Sequence, residues 1–365
     1  MGIPCFDLIV YKDGECMLRH MGGYADSENK IALSGKEKYH IYSCSKLITC
    51  AAAMQLWEKG LFSLDDNLSD YLPAFAEMTV KTEDGIRKAK NPIKIKHLFQ
   101  MTSGMNYDMH TQKLEECYSI PGNGCPTVET VNRFAETPLE FEPGERWKYG
   151  LSHDVLGALV EVISGEKFEN YVKAHIFDPL GMEHSTFLHP LEDWAGFANM
   201  YYYNSEAKTF DRAWRYWCHL KKDYASGGGG CISTAEDYIK FLEALRVGDV
   251  ILKKETVALM STNHLAGQQL AMYQESHVGG YGLGMRTPYP ELEPNQTDFG
   301  WSGAAGAYAS VDPVSNISFF YLQHVLNAPN RHLCKWLYKT ILADLSREKI
   351  DVPIETVDDN PRLTY

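Results

Sequence analysis

Ser43-Cys44-Ser45-Lys46-Leu47-Ile48-Thr49-Cys50-Ala51-Ala52-Ala53-Met54 is the stretch on which the reading of this chain turns. It opens a helical pattern running from Ser43 to Lys59. Leu47, Ala51, Met54 and Leu56 are spaced for one buried face, and Gly60 stands as a stop. Ser43 and Lys46 lie at i and i+3, so a helix brings both side chains to one face. Burial would desolvate the lysine amine and favour its neutral form, able to accept a proton from a hydroxyl. The helix N-terminus offers N–H groups and partial positive charge to a developing oxyanion. A serine beside a lysine in that place is an activated nucleophile. Taken alone, residues 43–46 also fit a helix-capping serine and a surface lysine.

The chain holds Ser-x-x-Lys at Ser27, Ser43, Ser164, Ser205 and Ser346, and only Ser43 opens a long apolar-faced helix. The Gly-x-Ser-x-Gly elbow is absent, because Ala304 follows Gly300-Trp301-Ser302-Gly303. That argues against an α/β-hydrolase.

With 365 residues, two domains or one composite domain are expected. A 44% hydrophobic and 23% charged composition is globular. The net charge of −13 disfavours nucleic acid and a polybasic membrane anchor. No apolar run reaches the roughly 18 residues of a membrane span, and the first ten residues do not read as a signal peptide. Nine scattered cysteines without Cys-x-x-Cys point to reduced thiols in a cytosol rather than to a disulfide framework or a zinc ribbon. Nothing in the sequence indicates a metal or cofactor, and the oligomeric state is not legible.

Phe6 to Tyr11 and Met17 to Met21 flank Lys12-Asp13-Gly14, which predicts a hairpin. Val128–Glu136, Asp154–Ile163, Phe168–His175 and Thr234–Leu245 read as helices, the last capped by Thr234. Gly227 to Gly230 marks a sharp bend or a close approach. Gly306–Val311 and Ile317–His324 read as strands, and Arg331–Ser346 as a closing helix. Strands at both ends predict an α/β (α+β) fold, with one antiparallel sheet built from N- and C-terminal segments and flanked by helices. The expected division is 1–64 with 225–365 as the sheet domain, 65–224 as a mostly helical insertion, and the active site between them.

Further segments carry a family resemblance. Gly22-Gly23-Tyr24-Ala25-Asp26 precedes the nucleophile, and Ile93 to Leu98 is followed by Met101-Thr102-Ser103-Gly104-Met105. Phe141-Glu142-Pro143-Gly144 leads to Tyr149, and Gly228 to Tyr238 closes the middle block. In this order they resemble the serine β-lactamase/penicillin-binding-protein-like superfamily, in its class C-like branch. The resemblance implies that Tyr149 relays protons to and from Ser43 alongside Lys46. It places Leu151 where the branch has the Asn of Tyr-x-Asn. It places Trp301-Ser302-Gly303 where β-lactamases have Lys-Thr-Gly. The backbone amides of Ser43 and Ala304 would form the oxyanion hole.

Leu151 cannot donate to a substrate amide, and Trp301 offers an apolar wall instead of a cation. Leu151, Trp301, Ser302 and Gly303 are therefore expected to contact substrate, and the motif form is similar to family VIII carboxylesterases. The expected activity is hydrolysis of small or apolar acyl esters through a Ser43 acyl-enzyme. A D-amino-acid amidase, a β-lactamase and an acyltransferase are the alternatives, and a non-catalytic scaffold is the least favoured. The expected partner is a small-molecule ester or amide, with no nucleic acid and no membrane.

Overall fold

The hairpin predicted near the N-terminus forms, and its first strand becomes an interior strand of the main sheet. In the computed structural model, Cys5–Lys12 pairs with Glu15–Asp26 on one side and with Ile317–Leu322 on the other, both antiparallel. The model describes residues 2–119, 125–189, 194–213, 223–273, 279–330 and 333–346. The eight-stranded sheet runs in the order Gly280–Tyr281, Arg286–Thr287, Phe299–Ser302, Tyr308–Asp312, Ile317–Leu322, Cys5–Lys12, Glu15–Asp26 and Ile31–Ala32. N- and C-terminal segments thus share one antiparallel sheet, as expected. Residues 1–328 form one compact unit, and residues from 329 onward form a second, whose described part contains the Leu333–Ser346 helix.

The Ser45–Glu58 helix corrects one expectation. It is buried on every side from Ser45 through Met54, not along a single stripe. Its small residues, Ala51-Ala52-Ala53, let neighbours approach all round, and a helix apolar on every face is a core helix. Ser43 precedes the helix proper, in a 3-10 turn over Tyr42–Cys44. Thr234 caps the Ala235–Val247 helix by accepting from the Asp237 amide, as read from sequence. The predicted helix over 168–175 is instead an α-turn, Phe168–Val172, continuing into a π-turn, Lys173–Phe177.

The middle of the chain is less uniformly helical than expected. Thr79–Thr82 pairs with Gly85–Lys88, and Tyr201–Asn204 pairs with Thr209–Arg212. The reduced-thiol expectation is also corrected: Cys117 and Cys125 are joined in a disulfide. Their wide spacing shows no Cys-x-x-Cys signature. Cys5, Cys16, Cys50 and Cys231 are free thiols.

Candidate active site

From Tyr39 to Met54 every residue is buried except Ser43, which is half-buried. The turn that presents it is held in an unusual backbone state. Tyr42 has φ of +49°, the left-handed region that costs a non-glycine residue about 1–2 kcal/mol. Its ring is buried, and its hydroxyl reaches the Met200 sulfur at 3.2 Å. Ser45 Oγ donates to the Tyr42 carbonyl at 2.5 Å and so closes the turn.

Two groups converge on Ser43 Oγ. The Tyr149 hydroxyl donates to it at 2.6 Å and Lys46 Nζ at 3.1 Å. The ordinary reading of residues 43–46 does not hold. Cys44 occupies the cap position with no side-chain capping bond, and Lys46 is 0% exposed. Lys46 Nζ also donates to the Gly228 carbonyl. It lies over the faces of Tyr149 and Tyr107, at 4.7 and 5.6 Å from the ring centres.

Tyr149 packs against two near-parallel rings. Tyr107 lies on one partner contact at 5.7 Å and 10°, and Trp301 on another at 5.9 Å and 22°. The Trp301 indole N–H points to the Tyr149 oxygen at 3.5 Å, a long contact. Trp301 therefore does more than wall the site, because it also packs against the phenol next to the nucleophile. Tyr107 was missed by sequence reasoning, since an aromatic four residues past Ser103 carries no motif. The Gly228 carbonyl was missed because it is backbone, and the run of glycines was the only trace of it.

Trp301, Ser302 and Gly303 stand at the end of a strand. Phe299–Ser302 ends in a tight turn. The Gly303 amide donates to the Ala307 carbonyl at 2.8 Å before Tyr308–Asp312 returns. Gly303 packs so closely on the Ile41 carbonyl that a Cβ there would collide with it. The Cys44 thiol reaches the Trp301 carbonyl at 3.8 Å. The strand end is thus fastened beside the Ser43 turn, with Ser302 and Ala304 half-buried.

Leu151 is 3% exposed. It faces a small cavity shared with Met105, Phe134 and Pro138. The middle of the chain carries the aromatics Tyr201, Tyr202, Tyr203, Trp214, Tyr216 and Trp217. Tyr201 is buried in a separate small cluster with Val325 and Ala328. Trp214, Tyr216 and Trp217 lie outside the described residues.

Neighbouring ionisable groups are neutralised or paired. Burial, and then the Lys46 charge, lower the His153 pKa to about 3. Burial pushes the Cys50 thiol, which lies 3.7 Å from His153 Nε2, far above its usual range. Arg286 would be the natural substitute for the missing motif lysine, but it bonds Asp298 at 2.5 Å. Burial alone would raise the Asp298 carboxyl. Arg286 and the hydrogen bonds from Ser310 and Gln296 hold it below the usual range.

Comparisons with known proteins supply the family. The Beta-lactamase family model matches residues 1–340. Lovastatin esterase of Penicillium rubens is 31% identical, over 67% of this chain and 68% of its own. Esterase EstB of Burkholderia gladioli is 27% identical, over 76% and 73%. The unliganded simvastatin synthase LovD of Aspergillus terreus has a TM-score of 0.78 at 23% identity, covering 94% of each chain, a likeness of fold. A family model spanning nearly the whole chain, with a relative above 30% identity beside it, shows that this chain belongs to the beta-lactamase family of serine hydrolases.

Proposed function

We propose that the protein is a carboxylesterase working through an acyl-enzyme on Ser43. The observation that carries this reading is the convergence of Tyr149 and Lys46 on the single half-buried hydroxyl of Ser43. Ser43 Oγ attacks the ester carbonyl, and its proton leaves along the line to Tyr149 or to Lys46. The amides of Ser43 and Ala304 face the oxyanion. The C–O bond to the alkoxy group breaks, and the leaving alcohol takes a proton through Tyr149. Water then adds to the acyl-enzyme, gives its proton to the same pair, and releases the carboxylic acid and Ser43. An alcohol in place of water gives acyl transfer from the same intermediate.

Two observations disfavour amides and β-lactams. Leu151 supplies no hydrogen bond, and the nearby cation Arg286 is committed to Asp298. An unpaired polar group costs roughly 1–3 kcal/mol, and an ester without those groups escapes the cost.

The site draws Ser43, Lys46, Gly228 and Trp301 from the segments 1–64 and 225–365, and Tyr107 and Tyr149 from 65–224. This supports the proposed division, with the substrate between sheet and insertion. Among the described residues, no helix is long and apolar enough to cross a membrane. A cytosolic location is part of the same proposal, and the Cys117–Cys125 bond is the feature that counts against it.

The test is intact-mass analysis after exposure to a fluorophosphonate, followed by kcat/KM for p-nitrophenyl butyrate and nitrocefin. We expect one label at Ser43, none in Ser43→Ala, and an ester preference of about tenfold or more. Label retained in Ser43→Ala would sink the mechanism, and a preference for nitrocefin would sink the esterase assignment.

A further inference from the structure

We infer that Asp154 is a positioning residue for Lys46, acting through the turn whose Gly228 carbonyl holds the lysine amine beside Ser43. The inference rests on the reading above that Lys46 and Tyr149 together move the Ser43 proton.

Asp154 lies in the first turn of the Ser152–Ser164 helix and is 1% exposed. Its Oδ1 accepts the Tyr224 hydroxyl and the Ser226 hydroxyl, each at 2.6 Å. Its Oδ2 is buried with no hydrogen bond and presses on Gly228 so closely that a Cβ there would collide with it. Burial of a carboxylate is costly unless its oxygens are satisfied, and here half of it is left over. What that carboxylate holds is the segment from Tyr224 to Gly230. The segment is closed by the Gly230 amide, which donates to the Ser226 carbonyl at 2.8 Å.

The other side of the same turn faces the nucleophile helix. Thr49 Oγ1 donates to the Gly227 carbonyl at 2.7 Å, and the Cys231 amide donates to Ser45 Oγ at 3.0 Å. Lys46 Nζ donates to the Gly228 carbonyl between them. The turn is therefore a wedge between two helices, pinned by Asp154 on one side and presenting one carbonyl to Lys46 on the other. The glycines are needed because Cβ atoms at 227 and 228 would meet His153 and Asp154.

The chemical consequence concerns direction. The hydrogen bond to the Gly228 carbonyl sets the direction from which the amine meets Ser43 Oγ, at 3.1 Å. If the carbonyl moves, the amine is still present but points elsewhere. Misplacement of about 1 Å in such a group can cost about a hundredfold in rate.

The experiment compares wild type with Asp154→Ala, Asp154→Asn, Tyr224→Phe and Ser226→Ala. Fluorophosphonate titration counts functional sites, and kcat and KM for p-nitrophenyl butyrate are then expressed per titrated site. Asp154→Ala is expected to lower kcat by about tenfold to a hundredfold with KM nearly unchanged. Asp154→Asn keeps an oxygen for both hydroxyls and should recover most of that loss. The Tyr224→Phe and Ser226→Ala variants should fall between, and they decide the matter if Asp154→Ala does not fold. A purely structural Asp154 would reduce the number of titrated sites but leave kcat per site at the wild-type value, which overturns the inference. Equal loss in the Asn and Ala variants also overturns it. A wild type that takes no label at Ser43 overturns the acyl-enzyme reading and this inference together. A labelled wild type with indifferent variants overturns the inference alone.

Discussion

Lys46 and Arg286 are both buried basic side chains, at 0% and 4% exposure, yet they are held in opposite ways. Arg286 meets a carboxylate, Asp298, which also accepts from Ser310 and Gln296. Among the described residues Lys46 has no carboxylate within ion-pair distance. Its surroundings are a carbonyl, the Ser43 hydroxyl and two aromatic faces. A buried charge held by an opposite charge is costly to disturb and has no reason to change protonation. The Lys46 amine is held instead by hydrogen bonds that set it against the nucleophile. The first arrangement fixes the strands next to Trp301, and the second can do chemistry.

The sharpest way to break the comparison is to remove each cation and read activity and stability separately. Lys46→Ala and Tyr149→Phe should each lower the acylation rate by about 10²–10⁴, the range for a positioned acid–base group. The double variant should lose little more than the worse single one, because the two act on one proton. Clean additivity would mean that they work independently. Melting temperatures of these variants should stay near that of wild type.

Arg286→Ala should show the reverse pattern. It leaves Asp298 buried without its partner, which costs about 3–5 kcal/mol of stability. Activity per titrated site should fall far less than it does in Lys46→Ala. Adding Asp298→Ala should restore part of the lost stability, as read by denaturant titration, since no charge is then stranded. A double variant as unstable as the sum of its singles would show that the pair is not the unit it looks to be.

The same contrast explains what could be read from the sequence. Ser43 and Lys46 were legible because a fixed spacing on a helix places them together, and Tyr149 was legible through the flanking motif. Gly228 was not, because a carbonyl has no sequence signature and only the glycine run hinted at a close approach. Tyr107 was not, because stacking on Tyr149 needs two loops to meet. The main sheet was legible from the Lys12-Asp13-Gly14 turn and from the strand-like runs Gly306–Val311 and Ile317–His324. The all-round burial of Ala51-Ala52-Ala53 was not, because periodicity shows one face and cannot count the neighbours. Cys117 and Cys125 were read as free thiols because their pairing depends on the path of the loop between them.

The smallest expected effect extends the comparison to groups that burial keeps uncharged. His97 and His324 are lowered to about 4 and His153 to about 3, mainly by desolvation. Each has an ordinary value of 6.5 in the unfolded chain. Between pH 6.5 and about 4 the unfolded state therefore binds protons that the native state refuses. Stability rises with pH across that window, by at most about 1.4 kcal/mol per pH unit per group. Asp7 opposes them. Burial raises it to about 7, with the Arg19 charge offsetting part of the shift. From its ordinary value of 3.8 up to about 7 the native state holds the extra proton, so Asp7 lowers stability as pH rises through that range. Three groups outweigh one, and the melting temperature should fall as pH is lowered from 6.5 to 4. In Asp7→Asn the opposing group is gone, so the fall should be steeper. A melting temperature flat over this range in wild type would mean that the three histidines are not held neutral by the fold. An unchanged slope in Asp7→Asn would remove Asp7 from the balance.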